Sequence, residues 1–232
     1  MTSPVSYEFS DSVATITMDD GKVNVMSVAM SSALNAALDK AQADRAVVVL
    51  TGRRGTFSAG FDLKTLMGGS PDAQKMVTMG FELAYRMLSF PTPIVVACGG
   101  HAIAMGVFLL LAGDYRVGAD GPFRIGANEV AIGITMPQFG VEICRQRLAP
   151  AHFNRAVLLS EMYKPADAVA AGFLDRIVPA ADLQTEARKL AGELAKLNMA
   201  AHTASKLRMR EHTLKAIRAA IDADGAILSP AR

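Results

Sequence analysis

The sequence predicts an α/β fold that gives way to a purely helical tail. Two observations carry that expectation. The uninterrupted apolar runs Ala46–Thr51 and Ile94–Cys98 read as strands buried on both faces, and each leads into a glycine turn and then a helical pattern. After Leu174–Val178 only helical spacing remains, with Leu183, Leu190, Leu194 and Leu197 on one stripe and Leu207, Leu214, Ile217 and Ile221 on another. With 232 residues, 51% of them hydrophobic, the chain can bury one large core.

Taken in order, Tyr7–Ser10 and Val13–Met18 are paired strands, and Asp19-Asp20-Gly21 supplies turn chemistry to close them. Ser27 is placed to cap a helix running to about Ala43, with Met30, Leu34, Leu38 and Ala41 on one face. Ala46–Thr51 follows as a strand, and Gly52 ends it. A glycine turn and a short helix from about Asp62 come next, then a loop at Gly68-Gly69-Ser70-Pro71 and a longer helix from Asp72 to about Leu88. Ile94–Cys98 repeats the strand, turn and helix pattern, the helix lying near Met105–Ala112. Tyr115–Gly118 and Phe123–Ile125 are further short strands. Helices are expected near Pro137–Leu148, Pro150–Ser160 and Pro165–Ala171, before the Leu174–Val178 segment.

Composition excludes several classes of function. The 24 basic residues nearly balance the 22 acidic ones, so the net charge of +2 leaves no footprint for nucleic acid or a membrane surface. Cys98 and Cys144 sit in apolar surroundings without CxxC spacing and read as reduced thiols of a cytoplasmic protein. His101, His152, His202 and His212 make no metal-ligand pattern, and no metal site is expected. The 19 residues Ile94–Ala112 carry no formal charge. Pro91 and Pro93 before them, Gly99-Gly100 within them and His101 at their centre argue for a strand, a turn and a core helix rather than a membrane span.

Two glycine segments carry the chemistry. Phe57-Ser58-Ala59-Gly60-Phe61-Asp62-Leu63-Lys64 and Gly99-Gly100-His101-Ala102-Ile103-Ala104-Met105-Gly106 each stand where a strand ends and a helix begins. Small residues there let backbone N–H groups face outward, and two such donors aimed at one point form an oxyanion hole. Glu129, in Gly126-Ala127-Asn128-Glu129-Val130-Ala131-Ile132-Gly133, is the only carboxylate between Asp120 and Glu142. Its apolar neighbours are expected to raise its pKa and suit it to act as a base near neutral pH. Ser58 invites a hydrolase reading, but Thr56 stands where a nucleophile elbow needs glycine.

In their full wording these segments resemble the enoyl-CoA hydratase/isomerase (crotonase-like) family, along nearly the whole chain. The resemblance implies a spiral of repeated ββα units over residues 1–178 and a C-terminal helical trimerisation region over 179–232. It implies an acyl-CoA thioester as substrate, with coenzyme A as part of that substrate and no separate cofactor. A homotrimer or hexamer is the implied assembly. Phe61 N–H then becomes one oxyanion donor. Asp114, which resembles the family's Asp at the end of the following helix, sets a register that places Met105 at the second donor, with Gly106 as a rival one residue on. In this register the Met105 side chain would hang over the thioester site. Lys22, Val23 and Val25, from Lys22-Val23-Asn24-Val25, join Ala59, Asp62 and Leu63 as the lining for coenzyme A, although Lys22 reads equally well as a solvated lysine. Glu129 is the catalytic base, with Asn128 orienting it or water.

The register also exposes a departure. Family members that hydrate enoyl thioesters carry a Glu where this chain has Phe108. One carboxylate suffices to shift a double bond, whereas hydration is best served by two, so an isomerase-like reaction with Glu129 as the single base is expected. A hydratase of fatty-acid β-oxidation and a non-catalytic acyl-CoA binder are the alternatives. Lys206, Arg208, Arg210, Lys215 and Arg218 read as a solvated face, or as donors to coenzyme A phosphates across a subunit interface. The leucine stripes of the tail are expected to be buried between subunits.

Overall fold

The computed structural model describes residues 3–68 and 71–228. Strands β1 (Val5–Ser10) and β2 (Val13–Met18) form an antiparallel hairpin in register from Val5 opposite Met18 to Ser10 opposite Val13. Asp11 and Ser12, both with positive φ, make its two-residue turn, as the twist of the flanking strands requires. The Asp19-Asp20-Gly21 turn therefore does not join these strands. It follows β2 and leads to β3 (Val25–Met26) and helix α1 (Val28–Ala43), where the Ser27 hydroxyl accepts the Met30 N–H at 3.1 Å. Met30, Leu34, Leu38 and Ala41 are buried along one face, as their spacing requires.

The chain then winds in repeated turns of two strands and a helix. The first is β4 (Val47–Thr51), β5 (Gly55–Ser58) with the two-residue β6 (Gly60–Phe61), and helices α2 (Leu63–Met67) and α3 (Pro71–Leu88). Of the expected loop between these helices, Gly69 and Ser70 lie outside the described residues. The second turn is β7 (Ile94–Cys98), β8 (Gly100–Ile103) and α4 (Met105–Ala112). The third is β9 (Tyr115–Ala119), β10 (Ile125–Gly126), a 3-10 turn at Val130–Ile132 and α5 (Gln138–Arg145). Helices α6 (Pro150–Leu158) and α7 (Pro165–Ala171) and strand β11 (Arg176–Val178) complete the core.

The first strand of each turn joins a six-stranded sheet ordered β1-β2-β4-β7-β9-β11, parallel throughout except for β1. The second joins a smaller parallel sheet ordered β10-β8-β5, while β3 pairs with β6. This stacking of ββα turns is the expected spiral. Every residue of β4 and β7 is buried. Val48, Leu50, Ile94 and Val96 face the main core, and Val47, Val49, Val95 and Ala97 face the other side, following the two-residue period of a strand.

That other side is covered by the tail. Helix α8 (Leu183–Leu194) buries Leu183, Ala187 and Ala191 against it, with Leu190 and Leu194 packed alongside. After α9 (Met199–Met209), helix α10 (Glu211–Leu228) returns across the molecule to pack on α3 and α5, burying Ile217 and Ile221. The leucine stripes expected between subunits are thus used within the chain, and only Leu197 and Leu207 of the two stripes stand exposed. The basic residues of the tail do not form a solvated face either. Lys206 and Arg210 are buried and converge on Asp114, at 2.7 and 3.0 Å. Arg218 forks onto Glu82 and Lys215 pairs with Glu211, so that of Lys206, Arg208, Arg210, Lys215 and Arg218 only Arg208 has no ion pair among the described residues.

Candidate active site

The first glycine segment is held by the residues before it. Asp20 gathers the N–H groups of Lys22, Asn24 and Val25 at 2.8–2.9 Å. Loss of solvation is the largest single influence on its carboxyl, but these hydrogen bonds and the Arg53 charge together outweigh it and hold the pKa below its ordinary value. Buried Asn24 donates its amide to the carbonyls of Met18 and Phe57. Ala59 N–H bonds the Val23 carbonyl at 3.0 Å, and β3 pairs with β6, so the Lys22–Val25 segment lies along the Ala59–Phe61 turn. Asp62 accepts the Lys64 N–H and the Thr65 hydroxyl, which starts α2. Ser58 is fully buried, donates to the Asn24 carbonyl at 2.7 Å and accepts the Gly60 N–H. That is the role of a turn residue, and no nucleophile is available there. His101 is likewise engaged, its Nδ1 accepting the Arg124 N–H.

The two glycine turns touch at Gly60, whose φ is +90°. A Cβ at this position would lie 2.8 Å from the Ala104 Cβ and 3.3 Å from the Met105 nitrogen, so only glycine permits the approach. The Phe61 peptide follows directly. Ala104 takes φ 52° and ψ −125°, a conformation that costs a residue with a side chain about 1–3 kcal/mol. Its own N–H bonds the Gly126 carbonyl, and its carbonyl accepts from Val107 and Phe108, so three elements hold it in place. The result is that Met105 opens α4 with a backbone N–H that has no acceptor within the helix. Gly106 packs against the first glycine turn, where a Cβ would meet the Ser58 carbonyl at 2.4 Å.

The Met105 side chain does not hang over the site. It is completely buried, and its sulfur lies near Gly80 of α3, because the strained turn directs it into the core. Gly80 also makes room for Phe61, whose ring atoms would lie 2.6 and 2.7 Å from a Cβ there. Behind the site runs an aromatic row: Phe61 beside Phe81, Phe81 stacked on Phe139 at 4.2 Å, and Phe139 edge-on to Phe108.

These elements enclose a cavity of about 740 Å³. Of the residues expected from sequence, Ala59, Phe61, Leu63, Phe108, Asn128 and Glu129 line it. Lys22, Val23, Val25 and Asp62 do not, and stand on its flank along the β3–β6 pair. Glu129 reaches the cavity because β10 pairs with β8 beside the Ala104 turn, after which the chain enters the 3-10 turn. Its carbonyl is fixed by the N–H groups of Ile132 and Ile134. The carboxylate is buried, and its Oε2 has no hydrogen-bond partner. Burial pushes its pKa up to about 7, with a backbone N–H offsetting only part of the effect.

Other lining residues were missed by the sequence reading. Ala104 carries the key backbone conformation, which no residue type announces. Gln138, Val141, Glu142 and Arg145 are the cavity face of α5, at spacings of three, four and seven residues. Asp224 comes from α10 and accepts the N–H groups of Gln138 and Phe139 at 3.0 and 2.9 Å, capping α5 from a distant part of the chain. The 3.6-residue period of α5 was the one available signal.

Comparison with known proteins places this geometry. The family profile described as enoyl-CoA hydratase/isomerase matches residues 8–230. Human mitochondrial enoyl-CoA delta isomerase 1 is 30% identical over 217 residues, covering 91% of this chain and 72% of its own. A crystal structure of an enoyl-CoA hydratase from Mycobacterium marinum superposes with a TM-score of 0.94 at 46% identity, covering 97% of this chain and 100% of the other. The apo structure of an Mtb enoyl-CoA isomerase gives 0.94 at 49% identity, covering 97% and 99%.

Proposed function

The chain belongs to the enoyl-CoA hydratase/isomerase family, and from that premise we propose that it is an enoyl-CoA isomerase working with a single base. In this reading an acyl-CoA thioester lies with its carbonyl oxygen between the N–H groups of Phe61 and Met105. Coenzyme A runs along the Lys22–Val25, Ala59, Asp62 and Leu63 flank and is part of the substrate, with no further cofactor. Glu129 removes a proton from the carbon next to the carbonyl of a 3-enoyl thioester. The charge moves onto the thioester oxygen, where each donor is worth about 3–4 kcal/mol. The same carboxyl then returns the proton two carbons away, leaving the 2-enoyl product. Donor and acceptor are one group, so the cycle closes without water.

The observation that carries this reading is the state of Glu129: a buried carboxylate with an unpartnered oxygen on the cavity wall and a pKa raised to about 7. A base in that range can both take and return a proton near neutral pH. Phe108 is buried and packed edge-on to Phe139, and the register of the family resemblance sets it where hydratases carry a second carboxylate. Hydration remains the second reading because Glu142 also lines the cavity. Its Oε1 is held by Arg145 at 3.3 Å, which disfavours proton transfer. A trimer or hexamer is carried over from the family resemblance, and the exposed Leu158, Leu159, Leu207 and Met209 are apolar surface for it to cover.

The test is to incubate the purified protein separately with 3-enoyl- and 2-enoyl-CoA and identify the products. Conversion of the first to its 2-enoyl isomer without mass gain supports isomerisation. Addition of one water to the second at a comparable rate overturns it in favour of hydration.

A further inference from the structure

The cavity wall formed by α5 is polar where an unsubstituted acyl chain would gain nothing from polarity. Helix α5 turns Phe139, Ile143 and Cys144 into the core, and Gln138, Glu142 and Arg145 toward the cavity. Arg145 closes this stripe in a fixed posture. Its guanidinium carbon lies 4.9 Å from the centre of the Phe153 ring, and its Nε donates to Glu142 at 3.3 Å. Both contacts hold the planar group, and both leave its outer edge unused. Neither Nη nitrogen has a hydrogen-bond partner among the described residues, and the side chain is 57% exposed. A guanidinium held by a ring and, at Nε, by a carboxylate, with both Nη nitrogens unpartnered among the described residues, can take a second carboxylate bidentately.

We propose that the enzyme prefers enoyl-CoA thioesters whose acyl chain ends in a carboxylate, which Arg145 binds through its two Nη groups. The inference rests on the isomerase reading above and adds the substrate class. The thioester end is fixed by the Phe61 and Met105 turns, on the flank shared with Lys22–Val25. The residues read as the coenzyme A flank, Lys22, Val23, Val25 and Asp62, lie outside the cavity, whereas Arg145 lines it beside Gln138, Val141 and Glu142. In this reading Arg145 therefore faces the acyl chain and not the nucleotide. A methyl terminus would leave the two Nη groups to water, and because the side chain is 57% exposed the resulting discrimination is that of a solvent-screened ion pair, about two- to fivefold.

The experiment compares kcat/KM for pairs of 3-enoyl-CoA substrates of equal length, ending in methyl or carboxylate, over a series of chain lengths. At the length that reaches Arg145 the carboxylate arm is expected to win by about two- to fivefold at low salt, and by less as salt screens the pair. R145M should collapse the ratio of the two arms to about one, and E142Q, which removes the competing anion, should raise it. A ratio near one in the wild type at every length overturns the proposal. So does an R145M variant that raises KM equally for both arms, since that marks a contact with coenzyme A itself. If the wild type isomerises neither series, the isomerase reading fails. Calorimetric affinities of saturated carboxylate- and methyl-ended acyl-CoAs then decide the carboxylate preference by the same ratio.

Discussion

A single carboxyl buried beside an apolar wall sets its own pH dependence. Glu129 must be ionised to accept a proton, so isomerisation should rise with pH and level off above about 7. A rate independent of pH between 5 and 8 would contradict this. The same shift bears on stability. The folded pKa lies above the ordinary value, so the folded state holds the proton more tightly than the unfolded chain. Stability is therefore fully present below about 4.5 and is lost as pH rises toward 7, by an amount on the order of 3 kcal/mol. E129Q should unfold at higher denaturant concentration than wild type at pH 8 and lose that advantage near pH 4.5. Ala104 offers a separate test. Its strain of about 1–3 kcal/mol exceeds the roughly 0.4–1 kcal/mol that a glycine adds to the disorder of the unfolded chain. A104G should therefore raise the melting temperature, and a fall would show that the turn is unstrained. Glu129 and Phe108 were legible because sequence context isolates each of them. The Ala104 conformation was not, since nothing in an alanine reports its φ.

Among the elements, α5 is the one that depends most on distant residues. Pro137 precedes it and offers no side-chain cap, so its first N–H groups are satisfied by Asp224, 86 positions along the chain from Gln138. D224A leaves two donors unpaired at a buried helix end and should cost about 2–3 kcal/mol in denaturant unfolding. It should also raise KM, because the polar stripe of α5 forms part of the cavity wall. An unchanged midpoint would mean that α10 does not support α5. The long strands β4 and β7 and the helices could be read from periodicity, since each spans several repeats of its pattern. The short strands β3, β6 and β10 could not, because two residues contain no period. Phe123 and Arg124 were expected in a strand, but β10 begins only at Ile125.

Over the whole molecule, the tail is part of the monomer's own core. Asp114 receives Lys206 and Arg210 from α9 and the turn after it, and Arg210 and Arg147 also donate to carbonyls at the ends of α3 and α4. Two buried cations, Lys206 and Arg210, and the half-buried Arg147 thus meet the Asp114 carboxylate and two negative helix ends. D114N would leave the cations under-compensated and should cost about 3–5 kcal/mol, read as a shifted unfolding midpoint with an unchanged denaturant slope. The sequence placed Asp114 at the end of a helix and the basic residues on a surface. Their pairing spans more than 90 positions and leaves no local signature. The central claim is that Glu129 alone moves the proton. It is tested most directly by measuring, in wild type and E129Q, kcat/KM for isomerising a 3-enoyl-CoA and for hydrating the 2-enoyl-CoA of the same length. The account predicts isomerisation at least about a hundredfold faster than hydration in the wild type, and a loss of about a hundredfold or more in E129Q. Hydration that matches isomerisation, or an E129Q variant that isomerises at the wild-type rate, would contradict it.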